Sequence, residues 1–211
     1  MDKILSAIQP YISLVKDLVT IASIGIAGYV ALRGLQAWRD QLKGTSDYQL
    51  AKRLLKATYQ LRNALQRVRE PFIKPGEFAY AVKEAQLDIK SSDKDFHAAS
   101  TAAVYQMRWK PVVEASQALD LEALEAETVW GPDVRAAITT IWINVNTLNN
   151  ALGAFLEDMG SPFLTLDEEY RKHFRSIVYS VTDDPENDPY LKSLTSAIKV
   201  IEEIAHRYIT K

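Results

Sequence analysis

Three histidines, His97, His173 and His206, are the side chains of this sequence best suited to proton transfer or metal binding near neutral pH. Glu203-x-x-His206 sets a carboxylate and an imidazole one helical turn apart. This is half of a di-iron bundle site, which needs a second Glu-x-x-His and a glutamate from each of two other helices. No second copy occurs, and Glu169 with His173 makes only a local helix pair. Asp184, Glu186 and Asp188 alternate like the opening ligands of a calcium loop. Pro189, however, stands where the loop needs glycine, and Thr195 where it needs a bidentate glutamate, so the segment reads as an acidic turn. Arg108-Trp109 could meet a phosphate or make a cation–π contact, but Trp109 shares helical spacing with Tyr105 and Val112 and reads as core. The sequence has no glycine-rich phosphate loop, G-x-S-x-G elbow or H-E-x-x-H, and no cysteine to serve as nucleophile, zinc ligand, iron–sulfur ligand or disulfide. No enzyme activity, cofactor or metal is expected.

The elements that carry these residues follow from composition and spacing. Over 211 residues, 47% are hydrophobic, 25% are charged, and there are only 8 Gly and 8 Pro, which excludes a disordered chain and a turn-rich all-β fold. The net charge of −2 carries no nucleic-acid signal, and no nucleic-acid partner is expected. That total conceals a strong asymmetry. Residues 33–70 hold nine cations (Arg33, Arg39, Lys43, Lys52, Arg53, Lys56, Arg62, Arg67, Arg69) against three acids, whereas residues 111–169 hold Arg135 against eleven acids. Either the two blocks pair with each other or each faces a different partner.

Leu18 to Leu32 is an uncharged run of 15 residues, short for a membrane span and compatible by itself with a buried core helix. It lengthens if Arg33 snorkels, because Gly34 to Ala37 continue it and Trp38 suits a headgroup belt; residues 18–38 then measure ~30 Å as a helix. Residues preceding the run include Asp2 and Asp17, unlike a cleavable signal, so the expectation is an uncleaved single-pass anchor over residues 1–42. Cations cluster C-terminal to the run, which favours a cytoplasmic C-terminal region. Residues 4–15, with Pro10 among them, either lie along the surface or extend the span. Ser23, Ala27 and Ala31 form a small-xxx-small row that permits helix packing and a homo-oligomer.

From residue 43 to 211 the pattern is an all-α, antiparallel bundle of four to six helices. Leu50, Leu54, Ala57, Leu61, Ala64 and Val68 give a stripe over about 47–70, between Gly44-Thr45-Ser46-Asp47 and Pro71. Phe78, Val82, Ala85 and Ile89 mark a shorter helix. Tyr105, Trp109, Val112, Leu119, Ala123, Ala126 and Trp130 mark a long one from about 94 to 129, which Pro111 should kink. Trp130-Gly131-Pro132-Asp133 turns the chain into the cleanest stripe, Val134, Ile138, Ile141, Val145, Leu148, Leu152, Phe155 and Met159, the bundle's spine. Thr165-x-x-Glu168 reads as a capping box before Tyr170, Phe174, Ile177 and Val181. Leu191, Leu194, Ile198, Ile201, Ala205 and Tyr208 close the chain.

Trp38-Arg39-x-Gln41-Leu42-Lys43-Gly44, Ala51-Lys52-Arg53-Leu54-Leu55, Val68-Arg69-x-Pro71-Phe72, Arg108-Trp109-x-Pro111 and Trp130-Gly131 resemble a group of uncharacterised bacterial proteins with one N-terminal membrane helix and a cytoplasmic helical region. The resemblance spans about residues 30–160 and implies a bacterial inner-membrane setting without implying an activity. The expectation is therefore a membrane-anchored interaction or adaptor protein. Arg39, Lys43, Lys52, Arg53, Lys56, Arg62, Arg67 and Arg69 would lie at anionic headgroups, and the acidic hairpin would meet a protein partner. The competing expectation is a membrane-acting effector or sensor that oligomerises through Ser23, Ala27 and Ala31.

Overall fold

A computed structural model describes residues 2–87, 93–160, 167–180 and 184–210. Six helices are present among them and no strand: α1 (Asp2–Val68), α2 (Pro75–Glu84), α3 (Asp93–Trp130), α4 (Asp133–Gly160), α5 (Glu168–Val178) and α6 (Pro189–Ile209). The chain divides into two compact units, residues 1–47 and 48–211.

In the first unit, α1 runs through Pro10 and the apolar stretch, and the side chains of Val19, Ile21, Ile24, Ile26, Val30 and Leu32 are all exposed, Ile24 by 68%. This is one helix long and apolar enough to cross a membrane. The expected helix start near residue 47 is overturned, because α1 is unbroken over Gly44-Thr45-Ser46-Asp47. The Thr45 hydroxyl donates to the Gln41 carbonyl one turn back (2.9 Å), a local bond that a helix accommodates. One interior glycine costs a helix only ~1 kcal/mol.

In the second unit, residues 48–68 of α1 bury the whole stripe Leu50, Leu54, Ala57, Leu61, Ala64 and Val68, with Leu65 and Ala51 beside it. They share a core with Tyr105, Val112 and Leu119 of α3, the α4 stripe from Val134 to Phe155, Phe174 of α5, and Leu194, Ile198 and Ile201 of α6. Cross-links at both ends give the direction of the helices. Arg53 meets Glu122 while Arg108 meets the Glu70 carbonyl, so α3 is antiparallel to α1. Tyr59 meets Glu202 while Arg69 meets Asp188, so α6 is antiparallel to α1 too. α3 continues through Pro111, whose ring is exposed.

The connections show their own chemistry. Pro75 opens α2 at its first turn, where the missing N–H is no loss. α2 then ends at Glu84 instead of continuing to Ile89. Gln86 adopts φ 52°, its N–H bonds the Lys83 carbonyl, and the Leu87 N–H bonds Val82, the paired closure of a Schellman motif. Leu87 then packs with Ala81, Ala103 and Val104 in a smaller cluster between α2 and α3. The proposed Thr165 cap lies outside the described residues, as does Val181; the observed N-cap of α5 is Asp167, whose carboxylate accepts from the Glu169 N–H. Gly131 ends α3 at φ 98°, a conformation closed to other L-residues at low cost. Gly131→Ala should therefore destabilise the bundle by about 1–2 kcal/mol in denaturant titrations although nothing crowds the site.

Candidate functional site

Two buried arginines hold the bundle's connections in place. Arg69, 2% exposed, follows α1 and donates from Nε to the Ile177 carbonyl (2.6 Å) and from Nη2 to the carbonyls of Ser176 (3.2 Å) and Tyr179 (3.3 Å). It thereby satisfies acceptors that the C-terminus of α5 would otherwise leave open. The same Nη2 pairs with Asp188 Oδ2 at 2.8 Å, and the other oxygen of Asp188 caps α6 by accepting from the Leu191 N–H. The Tyr190 ring lies 4.5 Å from the guanidinium, while its own hydroxyl is buried with no partner among the described residues. Arg108, also 2% exposed, is bidentate to Glu77 at 2.8 and 2.9 Å and donates to the carbonyls of Glu70 and Phe72. It clasps the 70–77 connection onto α3.

Arg69 therefore leaves the set of headgroup-facing residues, because its guanidinium is enclosed and all its bonds are internal. Arg53 is committed as well, from Nε to Glu122 (2.8 Å) and from Nη2 to Glu125 (2.6 Å), the one direct link found between the basic and acidic blocks among the described residues. Arg62 lies over the Tyr59 ring at 4.9 Å and is half-buried. Lys52, Lys56 and Arg67 are exposed on the bundle, as are Arg39 and Lys43 in the first unit. Ser23, Ala27 and Ala31 are exposed on one side of α1, with the Ser23 hydroxyl donating back to the Val19 carbonyl at 2.7 Å.

A feature that the stripes do not reveal lies on the acidic hairpin. Asp120, Ala123 and Leu124 of α3 and Ile138, Thr139 and Trp142 of α4 line a shallow cavity of about 260 Å³, edged by the Arg135–Glu127 ion pair at 2.7 Å. Leu124 of that lining (60% exposed), Leu121 (71%) on α3 and Ile143 (60%) on α4 stand on the surface. Their signal in the sequence is their position off the buried face that carries Leu119, Ala123, Ile141 and Val145. This surface can take apolar side chains with cations beside them. The histidines are exposed, and no group of three or more His, Asp or Glu is placed to hold a metal ion among the described residues. Asp184 closes a local turn onto Glu186 and Asn187.

The fold and surface define an all-α bundle preceded by an apolar helix. Comparisons with protein families, with curated proteins and with solved structures return no match to the chain.

Arg69→Met strands Asp188 in the core and should cost about 3–5 kcal/mol in denaturant unfolding, whereas Tyr190→Phe, which removes only an unpartnered hydroxyl, should stay within about 1 kcal/mol of the unaltered chain. Hydrogen bonding from Arg108 holds the Glu77 carboxyl below its ordinary range, ahead of the opposing effect of burial. A carboxyl lowered on folding lends stability that is complete above the unfolded value and vanishes as pH falls through the folded one. Stability measured from pH 6 down to 3 should thus decline less in Glu77→Gln than in the unaltered chain.

Proposed function

We propose that this chain is a membrane-anchored helical interaction protein of the bacterial inner membrane, crossing it once near residues 18–38, with the bundle in the cytoplasm. The observation that carries this reading is the exposure of the apolar side chains from Val19 to Leu32. A core helix of similar composition would have buried them, and uncovered apolar surface on this scale calls for a bilayer or a partner. Arg39 and Lys43, exposed past the span, support the orientation by the excess of cations on the cytoplasmic side.

The bundle is a docking module in this reading. Leu121, Leu124 and Ile143, set among the acids of α3 and α4, suit a partner helix with apolar and basic residues on one face. The alternative, an effector or sensor that oligomerises through Ser23, Ala27 and Ala31, draws support from their exposure in one row. Leucine at Ala27 and Ala31 separates the two readings: in the effector it abolishes oligomers, and in the docking protein it leaves cross-links from the hairpin intact.

The missing cysteines make the anchor directly testable. Ser6→Cys should react with an impermeant thiol reagent in intact cells, Ser193→Cys only after lysis, and the protein should resist alkaline carbonate extraction. Extraction as a soluble protein with both sites shielded until lysis would discard the anchor. A photo-crosslinker at Leu121 should yield a discrete protein adduct in native membranes that Leu124→Glu weakens; its absence from both Leu121 and Ile143 would discard the docking role.

A further inference from the structure

Residues 48–63 of α1 carry a second seam, partly open to the surface, beside the buried stripe. The buried stripe occupies one face; along another run Tyr48, Lys52, Leu55, Lys56 and Tyr59, spaced 4, 3, 1 and 3, and Ile209 of α6 faces them across a trough of about 460 Å³. That volume lies within the ordinary range of small-molecule sites. Leu55 and Tyr59 are half-buried against the core, and Tyr48 is exposed. Tyr59 is held in place by donating to Glu202 at 2.7 Å. Neither Lys52 nor Lys56 forms an ion pair among the described residues, which sets them apart from Arg53 between them.

We propose that this trough binds one anionic phospholipid of the bilayer, an acyl chain lying along Tyr48, Leu55 and Ile209 and the phosphate meeting Lys52 and Lys56. The inference rests on the membrane anchor proposed above and adds to it a specific ligand. Three observations select this occupant. Apolar surface from Tyr48, Leu55, Tyr59 and Ile209 dominates the walls, Gln60 and Asn63 add uncharged polar groups, and the charges lining it, Lys52 and Lys56, are both positive, so the complement is an amphiphile with a negative head. Tyrosine and lysine together form the pattern of a membrane interface, where an amphipathic ring and a long cationic stem each span the boundary between apolar and wet. Only nine residues separate Trp38 from Tyr48, so the chain itself keeps Tyr48, at one end of the trough, within ~36 Å of the end of the apolar stretch, whatever path it follows. A second copy is a poor occupant, because a symmetric contact along this seam would set Lys52 and Lys56 against their own equivalents.

The full chain is reconstituted into phosphatidylcholine vesicles that contain an equal trace of phosphatidylglycerol or phosphatidylcholine with a photoreactive acyl chain. Flotation reports the anchor, and peptide mapping reports where each lipid couples. Coupling within residues 19–38 serves as the reference, since the span meets both lipids alike. The expected result is a phosphatidylglycerol preference within residues 48–63 of roughly fivefold or more over that reference, the factor that one lysine near the surface supplies. Lys52→Glu with Lys56→Glu should bring the preference to unity with the helical content and melting unchanged, and Lys52→Arg with Lys56→Arg should retain it. If the protein floats but shows no preference, or a preference that charge reversal leaves untouched, the lipid site is overturned and the anchor stands. Coupling of one chain to another along this seam overturns it in favour of a second copy. If the protein does not float at all, the anchor and the lipid site fall together.

Discussion

A buried guanidinium that must find hydrogen-bond acceptors away from water is the constraint around which this bundle is arranged. Arg69 meets it with three main-chain carbonyls at the end of α5 and with the carboxylate that caps α6. Each partner needs the others: the carbonyls are available because α5 stops at Val178, and Asp188 is available because α6 starts at Pro189. The Ser180 N–H returns a bond to the Arg69 carbonyl, so the crossing is fixed from both sides. Arg108 solves the same problem for the connection after α1. The apolar stripes pull the helices together without direction, and these two cations join particular helix ends and connections.

The same geometry explains why the charge asymmetry survives folding. A basic stretch beside an acidic hairpin would be expected to neutralise, yet Arg53 alone links them directly among the described residues, and its exposed position makes that link worth only ~0.2–1 kcal/mol. Arg69 turns inward to main-chain oxygens, which leaves the hairpin's acids for other contacts. Exposed Leu121, Leu124 and Ile143 then belong to a stretch rich in acids, the combination on which the proposed docking role depends.

What the sequence reveals divides along physical lines. The steps of 4 and 3 from Val134 to Met159 identify the spine because burial on a helix repeats with its own period, and every position but half-buried Met159 is inside. The glycine at 131 shows the turn because its conformation demands that residue. Gln86 adopts a similar conformation without being the residue that favours it, so the end of α2 is not visible in advance. Gly44 to Asp47 have the composition of a break, but long helical stretches on both sides override a weak local preference. Arg69 is the instructive case. It lies in a basic run and reads as surface, since three of its acceptors are peptide carbonyls, which carry no residue identity, and the fourth stands 119 positions away.

That separation also bears on the order of assembly. Arg69 leaves the ribosome long before Ser176, Tyr179 and Asp188 exist, so the nascent chain carries a cation with no internal destination while α1 to α4 take shape. Until then water or another carboxylate must host it, and the first 160 residues form a set of helices without their clasp. Closure across more than a hundred residues makes this a contact of high sequence separation, slow to form compared with the α3–α4 hairpin. A chain interrupted ahead of α6 keeps its helical periodicities and loses the Arg69–Asp188 clasp between the end of α1 and the start of α6.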